Sequence, residues 1–241
     1  MTAISSWALA SVFGIGSFLA ASVLYGGVGQ VGIDVDETSA LFQMIFSSSV
    51  YLIGAAVLLV EPYAIRRMTI QQIQKLVGLA RRPVIKDVGL GLLAWGAYMI
   101  LTTAAVTAVK AYIPIINLDQ EQNIGFQTLA NGMDIFYAFL VIVVAAPIVE
   151  ELVFRGYLYG SLRPRLPRWV AAVIVSVLFG MVHWQLNVAI DTFVLSMVVC
   201  YMRDKTGAIW SGIVVHAVKN GLAFWLLFLA PQWIRQLLMG L

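Results

Sequence analysis

Long apolar runs separated by short polar breaks dominate the chain. Trp7 to about Val31 is apolar and rich in Gly, Ala and Ser, and an acidic stretch comes next at Asp34, Asp36 and Glu37. Ala40 to Val60 is a second run, closed by Glu61-Pro62. Further runs cover Asp87 to about Val109, Met133 onward through Val149, Trp169 to about Trp184, about Val188 to Met202, and Ala208 to Ala230. Runs of this length and apolarity predict helices that cross a bilayer, where only closed hydrogen-bonded elements survive. The expected fold is all-α: a polytopic transmembrane helical bundle of about seven spans plus interfacial helices, forming one membrane-embedded domain over residues 1–241.

Two stretches depart from this pattern. Between Tyr63 and Pro83, Ile65, Met68, Ile73, Leu76, Val77 and Ala80 recur near helical spacing among Arg66, Arg67, Gln71, Gln74, Lys75, Arg81 and Arg82. That arrangement predicts an amphipathic, basic helix lying in the membrane surface. Tyr112 to Asn131 is a polar loop holding Asp119 and Glu121, with Pro114 near its start. The tail from Pro231 to Leu241 is expected at the interface, and Trp7 to Val31 reads as a retained span because no basic segment of a cleaved signal precedes it.

Composition sharpens the picture. Hydrophobic residues make up 61% of the chain and charged residues 11%, with a mean hydropathy of +0.90, against roughly 25% charged in soluble domains. The Lys and Arg residues are not interleaved with aromatics on a polar face, so nucleic acid is not an expected partner. Cys200 is the sole cysteine, which excludes an intramolecular disulfide and any multi-cysteine metal site. No cofactor and no metal are expected. Basic residues cluster at 61–86, 155–168 and 203–205, and acidic ones at 34–37 and 117–121. The alternation matches the span count and predicts that the basic loops are cytoplasmic in an integral, multi-pass membrane protein. The compact chain is expected in a prokaryotic cell membrane.

The chemistry sits where an apolar run meets charge. From Ile135 to Val149 no residue is charged; then come Glu150, Glu151 and Arg155. Charges at membrane depth are costly and mark function. Glu151 and Arg155 are four apart, acid first, so they share a helix face. Glu150 points about 100° away and is free to face something else. Pro147 is expected to kink the helix just before them.

Both histidines of the chain fall near the same level. Glu150 stands 13 residues before Arg163, and His183 stands 14 residues after Trp169; at helical rise both lie about 20 Å from the same turn. His216 lies within about one turn of that depth. Phe179 precedes His183 by four residues and Asn220 comes four after His216, so each pair shares a face. A carboxylate and an imidazole can deprotonate a shared water. A second imidazole and an amide can donate to an oxyanion. That set suffices to hydrolyse an amide without a covalent intermediate. Each residue taken singly has a plainer reading: a histidine or Asn220 bridging helices, Arg155 reaching for the interface, Phe179 as core. Lys219, mid-helix between His216 and Asn220, needs a carboxylate or a wet cavity. Asp134 and Asp191 are expected at polar boundaries.

Glu150-Glu151-x-x-x-Arg155, Phe179-x-x-x-His183 and His216-x-x-x-Asn220 together resemble the three ordered motifs of the CAAX protease and bacteriocin-processing family. The resemblance covers about Met133 to Phe228 and includes the type II CAAX prenyl endopeptidases. It implies an intramembrane glutamate-type endopeptidase in which Glu150 and His183 activate water, His216 and Asn220 stabilise the oxyanion, and Glu151, Arg155 and Phe179 support them. It implies a peptide or lipidated protein substrate beside the lipid bilayer. The alternatives are a zinc metallopeptidase, since His and Glu suit zinc, although no HExxH occurs; a non-catalytic immunity or scaffold protein; and an ion-coupled transporter, for which no internal repeat is seen.

Overall fold

The computed structural model describes residues 39–113, 115, 118, 126, 129, 131–183, 185–230 and 234. Its regular elements among the described residues are all helical. We label the helices α1 (Ala40–Val60), α2 (Ile70–Val77), α3 (Ile85–Tyr112), α4 (Gly132–Leu162), α5 (Arg168–Met181), α6 (Leu186–Thr206) and α7 (Trp210–Leu229). Four of these, α3, α4, α6 and α7, are long and apolar enough to cross a membrane. Ala40–Gly54 within α1 and α5 are shorter apolar helices. The expected span at Trp7 to Val31 and the interfacial tail lie outside the described residues.

Lipid-facing and buried sides separate cleanly on α3. Leu93 and Ile100, seven apart and on one face, are exposed, whereas Ala94 and Tyr98 are buried. The buried side meets α7 and α6, and α6 in turn packs along α5. Phe179, Leu195, Val199 and Val215 join Tyr98 in the core between these helices. Without a hydrophobic drive between helices in lipid, close approach does the holding. At the opposite side α1 lies along α4.

The basic helix is shorter than the pattern predicts. Only Ile70–Val77 forms α2. Thr69 caps its start, accepting from Gln72 N–H while the Gln72 side chain accepts from Thr69 N–H, a reciprocal box that stops the helix from extending backward. Gly78 ends it in the left-handed region at φ 78°. Two glycines of α4 let α2 lie directly on it: a Cβ on Gly156 would sit 2.8 Å from the Val77 carbonyl oxygen, and Gly160 is packed still closer against Leu76 O.

The α-helix of the second run ends at Val60, before Glu61-Pro62. A wide, π-type turn carries the chain on from Glu61 to Ile65. Glu61 is buried there, bonded to Arg66 Nε at 2.8 Å and accepting from Tyr157 O–H at 2.6 Å. The partner on α4 lies 96 residues away, which explains why a local reading places this glutamate at a polar break.

One end of the bundle gathers the basic residues. Arg81 makes a two-toothed pair with Asp87 at 2.7 and 2.6 Å, Arg163 pairs with Asp204 at 2.7 Å, and Arg203 donates to the carbonyls of Lys75 and Leu76. Trp210 Nε1 donates to Arg81 O at 2.8 Å, tying α7 to the same end.

Candidate active site

The central helix α4 is not a regular α-helix. Two π-type stretches, Leu140–Ala145 and Leu152–Leu158, flank the short α-helical piece Ala146–Glu151 that bears both glutamates. Wide turns of this kind insert an extra residue, re-aim the side chains beyond it and recur at functional sites. Pro147 sits at the start of the intervening piece and contributes no N–H.

The pair expected between Glu151 and Arg155 forms inside the protein. Arg155 Nη1 is 3.0 Å from Glu151 Oε1, and neither side chain has solvent exposure. The contact is an ion pair by distance only; none of the guanidinium nitrogens completes an aligned hydrogen bond. The guanidinium carbon lies 4.2 Å from the centre of the Phe179 ring, so the charge is held by a carboxylate and an aromatic face together. Phe179 is therefore core in position, yet it touches the motif residues on every side. Its ring meets Phe154 at 4.8 Å, His183 at 4.9 Å and His216 at 5.8 Å, each edge to face.

His216 on α7 stands between the two glutamates. Nδ1 is 3.1 Å from Glu151 Oε1 and Nε2 is 3.7 Å from Glu150 Oε2. The side chain is 3% exposed, against 21% for Glu150, so Glu150 is the more exposed of the two glutamates and His216. Gly212, one turn before His216, makes room for this: a Cβ there would lie 3.0 Å from Glu151 Oε2.

His183 lies just past the end of α5. Its Nδ1 is 2.7 Å from the Phe179 carbonyl. A carbonyl can only accept, so this nitrogen carries the proton and Nε2 presents a lone pair. His183 is within electrostatic reach of Glu150, His216 and Lys219. The Asn220 amide takes a different direction, donating to Ile142 O in the wide turn of α4 at 2.9 Å. Thus Glu150, Glu151, Arg155, Phe179, His183 and His216 form one cluster, and Asn220 joins it through backbone.

Two features escape a local reading of the sequence. Tyr51 of α1 donates its hydroxyl to Glu150 Oε1 at 3.3 Å, leaving Oε2 buried without a hydrogen bond of its own. The only signal is a lone tyrosine inside an apolar run, 99 residues from its partner. Asp191, expected at a polar boundary, is half-buried near the start of α6, where it accepts from the Tyr98 hydroxyl and pairs with Lys219 at 3.3 Å. Lys219 thereby finds its carboxylate on α6, and the two charges compensate one another. Among the described residues no group of three His, Cys, Asp or Glu side chains has the arrangement to hold a metal ion.

Comparison with known proteins points to the same helices. The chain is 30% identical over 77 residues to a Bacillus subtilis (strain 168) protein named "Putative membrane peptidase YdiL", covering 32% of each chain. It is 26% identical over 127 residues to the UPF0177 protein YxdF of Lactococcus lactis subsp. lactis (strain IL1403), covering 51% of this chain and 68% of that one. It is 24% identical over 110 residues to YbdI, another UPF0177 protein of that strain, covering 45% of this chain and 59% of that one. The chain thus spans about a third of the Bacillus relative and three-fifths to two-thirds of the Lactococcus relatives. No solved structure matches. A family model described as "Type II CAAX prenyl endopeptidase Rce1-like" matches residues 132–222, the segment that carries every motif residue, and from α4 into α7 the chain is similar to that Rce1-like membrane family.

Proposed function

We propose that the chain is an intramembrane endopeptidase of the CAAX-protease kind, hydrolysing a peptide bond with a water activated by Glu150 and His183. The observation that carries the reading is the division of labour at the two adjacent glutamates. Glu151 is fully buried, and its Oε1 meets both Arg155 and His216. Glu150 is partly open and keeps one oxygen free, with Tyr51 on the other. Of the two, Glu150 alone has solvent exposure, 21% against 0% for Glu151, which a reacting carboxylate needs and a purely structural one does not.

In the proposed cycle a water sits between Glu150 Oε2 and His183 Nε2. Its oxygen attacks the scissile carbonyl carbon as its proton passes to Glu150. The carbonyl oxygen becomes an oxyanion, which takes hydrogen bonds from the His216 ring through Nε2 and from the amide hydrogen of Asn220 not committed to Ile142. Collapse breaks the C–N bond, and the proton held on Glu150 goes to the leaving amine. Glu151 orients His216, and Arg155 and Phe179 hold Glu151.

The substrate proposed is a peptide or lipidated protein presented from the bilayer, with prenylated CAAX termini and maturing peptides as the two classes to be tried. The purified protein, reconstituted in lipid vesicles, is to be incubated with peptide libraries of both classes alongside Glu150→Ala. Cleavage by the wild type alone supports the reading. Cleavage by both proteins alike would remove Glu150 from the chemistry, and cleavage by neither would turn the reading towards a binding or scaffold role.

A further inference from the structure

The middle of α4 carries a proline where the wide turn calls for a donor. In a π-type turn each N–H reaches back five residues, and Ala146 N–H does bond to Val141 O. By the same step Pro147 would serve Ile142 O, and it has no N–H to give. Asn220 Nδ2 occupies that place, donating to Ile142 O at 2.9 Å. The approach of the two helices is close here, for a Cβ on the neighbouring Gly221 would touch the Val143 side chain at 3.5 Å. A backbone carbonyl left unbonded at membrane depth is expensive, so the donor matters.

We propose that Asn220 is a positioning residue for Glu150, standing in for the N–H that Pro147 lacks and thereby holding the wide turn that aims the glutamates. This rests on the peptidase reading and gives Asn220 a task separate from the oxyanion. The wide turn holds one residue more than a regular turn. Relaxing it to α-helical register would rotate everything beyond it by about 100°. Glu150 lies three residues past Pro147, so its carboxylate would swing away from Tyr51 and His216, and Glu151 would leave Gly212.

A double-mutant cycle of Asn220→Leu and Pro147→Ala tests this role. Leucine keeps the branched outline of asparagine and removes the amide; alanine at 147 restores a backbone donor for Ile142 O. Alone, Asn220→Leu is expected to lower kcat about 100-fold with little change in KM, as misplacement of a reacting group does, and to move the pH profile of kcat. In the Pro147→Ala background the loss is expected to be about tenfold smaller, since the two changes share one bond, what remains being the oxyanion donor lost in both backgrounds. An equal loss of kcat in both backgrounds would overturn the proposal and leave Asn220 acting on the substrate directly. The cycle is repeated on thermal unfolding without substrate, which does not depend on any peptidase activity. A Tm loss from Asn220→Leu that shrinks in the Pro147→Ala background supports the replacement of one donor by the other. Equal Tm losses in both backgrounds would overturn it even if the wild type cleaved nothing.

Discussion

Glu151 and His216, 65 residues apart in sequence, meet at 3.1 Å inside the bundle. The contact joins the first motif to the third, and in the proposed cycle it leaves Glu151 to structure and Glu150 to the chemistry. Because Nδ1 of the imidazole is turned to Glu151, Nε2 is the atom left facing Glu150.

Arg155 is the cation beneath this arrangement. Removing it would leave Glu151 buried without its counter-charge, at a cost of about 3–5 kcal/mol. Arg155→Ala is therefore expected to lower folded yield and Tm in detergent, with Arg155→Lys recovering only part because the flat contact with Phe179 is lost. Normal yield and Tm for Arg155→Ala would show that the pair contributes nothing to the fold.

Tyr51 holds one oxygen of Glu150. Hydrogen bonds to charged groups contribute about 1.5–3 kcal/mol, so Tyr51→Phe should reduce kcat by about tenfold or more with little effect on Tm. Steady-state kinetics of the purified variant check this. A kcat equal to that of the wild type would remove Tyr51 from the site.

Lys219 and Asp191 compensate each other across α6 and α7. Lys219→Met alone and Asp191→Leu alone are each expected to destabilise, because each leaves one charge behind. The double variant should unfold at a higher temperature than either single one. Additive losses in thermal unfolding would contradict the pairing.

The basic residues at one end of the bundle belong, by charge, on the cytoplasmic side. Single cysteines at Arg82 and Arg165, with Cys200 replaced, should resist a membrane-impermeant thiol reagent in intact cells and react after lysis. Labelling from outside intact cells would reverse the orientation.

How far the chain alone reveals its fold differs from element to element. The apolar runs are legible because lipid and protein core make the same demand on side chains, and the pair Glu151–Arg155 is legible because it is local, one helical turn apart. Contacts between helices are not. Tyr51 and Glu61 each find their partner nearly a hundred residues away, so one reads as ordinary apolar filling and the other as a helix end. Thr69-x-x-Gln72 and Gly78 are enough to bound the basic helix, since their capping roles are local; the repeating apolar residues beyond them suggest a longer one. The wide turns of α4 have one local sign, Pro147. The direction of the Asn220 amide has none, since it depends on a carbonyl of another helix.

Everything proposed for catalysis depends on Glu150 as the base. The decisive measurement is turnover of a cleavable membrane peptide by Glu150→Gln, an isostere that cannot take a proton, compared with the wild type at matched Tm. Loss of general-base catalysis predicts a fall in kcat of about 10²–10⁴-fold, with the fold and KM nearly unchanged. Turnover within about twofold of the wild type, a change too small for a lost base, would contradict that role and leave the adjacent glutamates to structure alone.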